Sequence, residues 1–351
     1  MLFELPSIEH IDAKDVREAI DCLKAHDGKA AVVAGATDLL SLMKDRIEGP
    51  KLKVPKVLVN IKTIPGMARI TYEEGKGLRI GAAVTLSQII ASVEVRAKFD
   101  TLSQAARVVG TTQLRNMGTV GGNLCQRPRC AYFRHPHFVC FKKGGTRCYA
   151  AAGEHRFYHA IVNYGTCVMA HPSDMAPALV ALKANVVMAG PGEERKVPLR
   201  DFFLGPDHLN ETILKPGEFL LAVEVPDQPA DARQVFLKQR IRRAADFAMA
   251  SVAVVALMSD GMCKEISIVL GGVAPSPYVA ETGERLIGGH ALTEQTISDA
   301  AEAAVEGARP LPDNHYKIDL AKAIVSRALR SMVDVRVGSG GHPQAGTRSG
   351  V

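Results

Sequence analysis

Three stretches of this chain carry residues whose types and spacing could do chemistry. The first is Ala34-Gly35-Ala36-Thr37-Asp38, where the apolar run AAVVAG (30–35) passes through small residues into the pair Leu39-Leu40. Small side chains let an anion reach the main chain, so such a turn offers backbone N–H groups to a pyrophosphate, and Thr37 adds a hydroxyl. A plain strand-to-helix turn has the same composition, and these five residues do not separate the two readings. The second stretch is Gly118-Thr119-Val120-Gly121-Gly122-Asn123, preceded by Gln113-Leu114-Arg115-Asn116. Paired glycines remove side chains where a backbone must approach a flat ligand or another strand, and Asn123 supplies both a donor and an acceptor. Neither stretch is a GxGxxG or GxxxxGK[ST] fingerprint, so a nucleotide bound here needs a different fold.

The third stretch is a cysteine block. The chain has seven cysteines (Cys22, Cys125, Cys130, Cys140, Cys148, Cys167 and Cys263), five of them between 125 and 167. An odd count in a chain without a Sec signal speaks against a disulfide framework and for metal or redox use. Cys130, Cys140, Cys148 and Cys167 are enough for a [4Fe–4S] cube or a Cys₄ zinc. Zinc sites usually pair their ligands in close C-x₂₋₄-C hooks, which these four do not form, and long irregular spacings suit a bulkier cluster reached by separate loops. Cys125, five residues before Cys130, is a fifth candidate. Spacing alone leaves iron–sulfur, zinc and unliganded thiols open. The nearby His135, His137, His155, His159 and His171 pair with no nucleophile and show no HExxH spacing, so polar packing is expected of them. Ser173 or Asp174 is expected to cap a helix. Lys238, Arg242 and Asp246, four residues apart, are expected to pair at the surface.

The elements that must position these residues read as a mixture of helix and strand. Asp15 to His26 has Val16, Ala19, Ile20 and Leu23 at helical spacing, and 86–99 and 102–109 also read as helices. Strands are expected at 30–35, 56–61 and 78–84. Gly110 to Ser173 has no sustained period and reads as loops wrapped around something. Beyond it, 175–184 reads as helix, and 185–190 and 218–226 as strands. The polar stretch PDQPADAR (226–233) marks a domain boundary; after it come strands, then helices at 296–308 and 318–332, an α+β order. The segment 338–351 lacks apolar residues to bury and reads as a disordered tail.

Composition narrows the function classes. The 351 residues are 47% hydrophobic and 23% charged, values of a globular protein, and allow two or three domains. A net charge of +6, basic residues clustered only at Lys238, Arg240, Arg242 and Arg243, 5% aromatics and no Trp argue against nucleic-acid binding. No apolar run reaches the ~18 to 20 residues of a membrane span. The N-terminal MLFELPSIEHIDAKD is not a Sec signal. A cytoplasmic location is expected, or a periplasmic one if the folded chain is exported with a signal-bearing partner.

Taken together, AGATDLL (34–40), QLRNMGTVGGNLC (113–125), HPSDMAPALVAL (171–182), LLAVEVP (220–226), KQRIRRAADFA (238–248) and LGGVAPSP (270–277) resemble, in order, the FAD subunit of the xanthine dehydrogenase family of molybdenum hydroxylases. The resemblance implies an α+β chain. A two-part PCMH/VAO-type FAD-binding domain (1–228) carries an Fe–S insertion at about 124–168. A smaller α+β C-terminal domain of the CO dehydrogenase flavoprotein type (229–336) and a tail (337–351) follow. It implies FAD contacts from Val32, Val33, Ala34, Gly35, Ala36, Thr37, Asp38 and Leu39 in the first turn, where Ala36 replaces the second glycine of the usual AGGTD. Thr111, Thr119, Gly122, Asn123, Asp174, Leu220 and Lys238 complete the implied cofactor set.

The stretch Gln126-Arg127-Pro128-Arg129-Cys130-Ala131-Tyr132-Phe133-Arg134 is similar to the insertion of aldehyde oxidoreductase flavin subunits. That similarity implies a [4Fe–4S] cluster on Cys130, Cys140, Cys148 and Cys167, with Cys125 packed. The implied partners are a large molybdopterin subunit, a small [2Fe–2S] subunit and an external electron acceptor, with FAD converting single electrons to pairs and no catalytic acid or base in this chain. The rival readings are the flavin subunit of a 4-hydroxybenzoyl-CoA reductase-like enzyme, a stand-alone flavin oxidoreductase and a zinc-stabilised scaffold.

Overall fold

A computed structural model describes residues 4–26, 28–242 and 245–333. The tail expected at 337–351, like Arg243 of the basic cluster, lies outside the described residues. The chain opens with β1 (Glu9–Asp12), α1 (Val16–Ala25), β2 (Ala30–Val33), α2 (Leu39–Lys44) and β3 (Val57–Asn60). The three strands form a parallel sheet in the order β1-β3-β2. Val57, Leu58 and Val59 of the central strand are buried, as a strand covered on both faces requires. Asp15 starts α1 by accepting the Glu18 N–H, and Ala19 and Leu23 are its buried face.

The second layer begins with β4 (Ile70–Glu73) and β5 (Gly77–Gly81), followed by α3 (Leu86–Ala91), α4 (Val93–Lys98) and α5 (Asp100–Arg107). The single helix expected over 86–99 is two. Ser92 takes an extended conformation and its hydroxyl accepts the Val95 N–H, ending α3 and capping α4. The block expected to be loops contains the short α6 (Thr112–Met117) and α7 (Val120–Leu124) and one 3₁₀ turn at Phe141–Lys143. Then come α8 (Met175–Ala181), β6 (Asn185–Ala189), β7 (Arg195–Pro198) and β8 (Phe219–Val225). Strands β4 to β8 make one antiparallel sheet in the order β4-β5-β8-β6-β7. Central β6 and β8 and helix α8 are almost wholly apolar and lie in the main core, which also takes in β3.

The rest is a separate antiparallel sheet of β9 (Arg233–Gln239), β10 (Ala250–Ser259), β11 (Met262–Gly271) and β12 (Tyr278–Val279). It is packed against α9 (Glu281–Ile287), α10 (Glu294–Ala303) and α11 (Tyr316–Arg330) around a second core. Fully buried Lys317 on α11 ties this part to the block before α8. Its Nζ donates to the carbonyls of His159 (2.7 Å), Gly272 (2.6 Å) and Phe157 (3.2 Å). Among the described residues no helix is long and apolar enough to cross a membrane.

Candidate functional site

The carboxyl end of β2 delivers the first turn, and the exit of β5 holds the second. Residues 82–86 pin the second turn by Val120 N–H to Val84 O (2.9 Å), Gly121 N–H to Ala82 O (3.0 Å) and Leu86 N–H to Gly118 O (3.0 Å). Thr119 caps α7 by accepting the Gly122 N–H at 3.2 Å. The two turns touch: a Cβ on Gly35 would stand 2.1 Å from Met117 O, which no side chain tolerates. Ala36 adopts φ 57°, a left-handed conformation that costs an alanine more than a glycine.

Around this junction lie three cavities of about 550, 250 and 210 Å³, and Gly122 lines all of them. Val32, Ala34, Cys125 and Leu220 border the largest. Val33, Gly35, Ala36 and Leu39 border the second, and Thr37, Asp38 and Thr119 are shared by the second and third. Asn123, Asp174 and Lys238 border the third. Every implied cofactor residue therefore borders one of these three adjoining cavities except Thr111, whose hydroxyl caps α6 by accepting the Leu114 N–H while its neighbours Gly110 and Leu114 form the wall of the third. Leu86, Gln126, Arg127, Arg129 and Phe247 also line these cavities; Gln126, Arg127 and Arg129 stand in the stretch that resembles the insertion, which did not mark them as part of the cofactor set.

Two polar groups are oriented from behind. Ser173 Oγ accepts the Ala176 N–H and donates to Asn123 Oδ1 at 2.5 Å, so the Asn123 NH₂ remains for another acceptor. Asp174 opens α8 without a side-chain capping bond, so it is Ser173 that serves that end. Lys238 is not at the surface, as its spacing suggested. It is buried, with Nζ 2.6 Å from Asp174 Oδ2, and only Arg242 pairs with Asp246. The physical reason is that Lys238 sits on β9 facing α8 rather than on the turn. Asp174 Oδ1 is buried without a hydrogen-bond partner among the described residues, and burial pushes its carboxyl up against the opposing pull of Lys238. An orphaned acceptor at a cleft wall fits a ligand hydroxyl.

The cysteine block folds against the start of this cleft. Cys130, Cys140 and Cys148 share a small apolar core with Phe133, Ala150, Val168, and Leu42 and Ile47 from α2 and its exit. Backbone N–H groups of Tyr132 and Phe133 face the Cys130 sulfur, those of Lys142 and Lys143 face Cys140, and that of Met169 faces Cys167. The Cys148 and Cys167 sulfurs face each other, which draws Cys148 down and pushes Cys167 up. Burial pushes Cys130 up to about 11 and Cys125 to about 12. Cys125 packs against the main core and apart from the four. Among the described residues no three His, Cys, Asp or Glu side chains close around a single ion. A cubane holds its thiolates further apart than one ion does. A cluster here would have Cys130, Cys140, Cys148 and Cys167 to hold it, each sulfur backed by backbone N–H donors.

His155, His159 and His171 are buried, in keeping with packing. Burial draws His171 down to about 3 and His159 to about 4, so both are neutral. Arg127 and Lys142 share the buried carboxylate of Glu211, at 2.7 and 3.5 Å, beside the 550 Å³ cavity.

Family models match nearly all of this architecture. One described as the FAD binding domain in molybdopterin dehydrogenase matches residues 6–228, and one described as the CO dehydrogenase flavoprotein C-terminal domain matches 235–332. The chain is 36% identical over 306 residues to the aldehyde oxidoreductase FAD-binding subunit PaoB of Escherichia coli (strain K12), covering 86% of this chain and 90% of that one. It is 29% identical over 331 residues to the carbon monoxide dehydrogenase medium chain of Hydrogenophaga pseudoflava, covering 93% and 97%. Among solved structures, quinoline 2-oxidoreductase from Pseudomonas putida 86 matches with a TM-score of 0.72 at 26% identity, covering 94% of this chain and 98% of that one.

Proposed function

The chain belongs to the FAD-binding medium subunits of the molybdenum hydroxylases, and on that footing we propose that it is the flavin relay of an aldehyde-oxidoreductase-type complex and also carries a [4Fe–4S] cluster. When bound, FAD supplies the redox chemistry of the subunit, taking electrons singly and releasing them in pairs. The electrons come from a small [2Fe–2S] subunit served by a large molybdopterin subunit, and leave to an external acceptor. The FAD part spans 1–228 with the cysteine block at about 124–168, and the C-terminal part 229–336. The location is cytoplasmic, or periplasmic when the chain is exported with a partner that bears a signal.

In this reading the chain's own residues bind and orient. The first turn, Val32 to Leu39, and Thr119 with Gly122 wall the diphosphate, and Gly122 leaves room for its approach. The Asn123 NH₂, freed by Ser173, meets an acceptor on the cofactor. Asp174 accepts a nucleotide hydroxyl on Oδ1 while Lys238 occupies Oδ2. Leu220 supplies apolar wall, and Thr111 acts only through the helix it caps. Cys130, Cys140, Cys148 and Cys167 hold the cluster. No residue is assigned as catalytic acid or base.

The observation that supports this most is the meeting of Gly35 with Met117, which joins two distant small-residue turns around a cleft with Gly122 at its centre. The test is anaerobic reduction of the purified complex by an aromatic aldehyde. Bleaching of the flavin absorbance within turnover is expected; a flavin that stays oxidised while the other centres reduce would overturn the relay. Iron and acid-labile sulfide beyond the small subunit's content are expected, and stoichiometric zinc instead would overturn the cluster.

A further inference from the structure

Asp38 places a carboxylate in a turn read as the seat of a diphosphate, and the groups that neutralise it come from the cysteine block. Its Oδ1 receives Arg134 Nη2 at 2.7 Å and Arg129 Nη2 at 2.8 Å, and its Oδ2 receives the Arg127 backbone N–H at 2.8 Å. The three side chains are only 15–19% exposed, so the charges act through protein more than through water. Although Asp38 sits at the N-cap of α2, it makes no side-chain capping bond there; its oxygens are turned toward the block. Arg129 and Asp38 line the same cavity as Thr37, Thr119 and Gly122. The Arg129 guanidinium lies over the ring of Phe247 at 4.6 Å, and its buried Nε has no hydrogen-bond partner among the described residues.

One carboxylate against two guanidiniums leaves a single positive charge in excess at this spot. Without them, Asp38 would repel a diphosphate. We propose that the cysteine block completes the flavin site: Arg129 and Arg134 are positioning residues that cancel the Asp38 charge, hold the first turn and present the excess positive charge to the cofactor's diphosphate. The inference rests on the reading of the cleft as the FAD site. It makes the block a part of that site rather than an appendage, so whatever disorders the block loosens the flavin.

Charge accounting gives the test. The wild-type junction carries a net positive charge, Arg129→Gln makes it neutral, and Asp38→Asn combined with Arg129→Gln restores the excess through Arg134. The complex is stripped of flavin and titrated with FAD at low and high ionic strength. Arg129→Gln is expected to raise Kd about 30-fold at low salt, in line with the loss of one partner of a buried charge pair. The double variant is expected to return to within roughly 3-fold of wild type, and Arg129→Lys to stay within about 10-fold, because both keep the excess positive charge. If Arg129 only packed on Phe247, the double variant would bind no better than Arg129→Gln, and that result overturns the proposal. Should Arg129→Gln fail to fold, the salt dependence of wild type decides: a Kd unchanged by salt overturns it. A wild-type complex that takes up no FAD at all sinks the reading of the cleft instead.

Discussion

Adjacent glycines 121 and 122 separate folding from cofactor binding. A Cβ on Gly121 would stand 2.8 Å from Ala82 Cβ and 2.9 Å from Ala82 O, both fixed by the β5 exit. A Cβ on Gly122 would meet only Thr119 Oγ1, at 3.2 Å, and otherwise point at the shared wall of three cavities. Gly121→Ala therefore overpacks the main chain and should cost roughly 1–3 kcal/mol of stability. Gly122→Ala lies within α7, where alanine is favoured over glycine by up to ~1 kcal/mol, so the flavin-free protein should be as stable as wild type or slightly more so. The added methyl occupies the position through which a diphosphate must approach the backbone. Overpacking of about 2–3 kcal/mol corresponds to a loss of roughly 30- to 150-fold in FAD affinity, and Gly122→Val should abolish binding. Thermal unfolding with and without FAD reads both quantities: Gly121→Ala lowers the flavin-free midpoint, whereas Gly122→Ala leaves it and loses the shift that FAD produces. Wild-type FAD affinity in Gly122→Ala would refute the placement of the cofactor.

Three other outcomes follow from buried groups. His171 and His159 stay neutral in the fold down to about 3 and 4, whereas an unfolded histidine takes up its proton below about 6.5. The unfolded chain therefore binds more protons as pH falls, and each histidine should remove about 2 kcal/mol of stability between pH 7 and 5. Urea unfolding of His171→Gln should show a shallower pH slope than wild type; parallel curves would contradict the burial argument. Lys317→Met strands the carbonyls of Phe157, His159 and Gly272. Burial already draws this lysine down to about 7, against the carbonyls that favour its charged form, so little is gained by removing the charge. A net loss of about 2 kcal/mol is expected as a lowered unfolding midpoint, and an unchanged midpoint would count against it. Cys140→Ser should lose iron and, because Cys140 belongs to the small core shared with Leu42 and Ile47, also lower the yield of folded protein. Full iron content in that variant would remove Cys140 from the ligand set.

The two turns are legible in the sequence because each is local, small residues between an apolar run and a helix. Their meeting was not legible, since the contact of Gly35 with Met117 joins distant points of the chain. The same distance hid Arg134, which is 96 residues from Asp38. A basic residue beside a cysteine carries no sign of the partner that awaits it. Four-residue spacing suggests a surface pair for Lys238, whereas the strand it occupies turns it onto Asp174 at the cavity where the resemblance placed it. Lys317 gave no signal either, because a lysine on an amphipathic helix normally faces water. Helix periodicity held over α1, α8 and α11 but ran through Ser92, where one hydroxyl capping bond divides the segment in two.

The central claim is that turns 34–38 and 118–123 close on one flavin dinucleotide. The most direct measurement is to denature the purified complex and quantify the released flavin by chromatography that separates FAD, FMN and riboflavin. Stoichiometric FAD in wild type, and little or none in Gly122→Val folded to the same extent, is the expected result. Flavin-free wild type, or a Gly122→Val complex that retains its full FAD, would contradict the account.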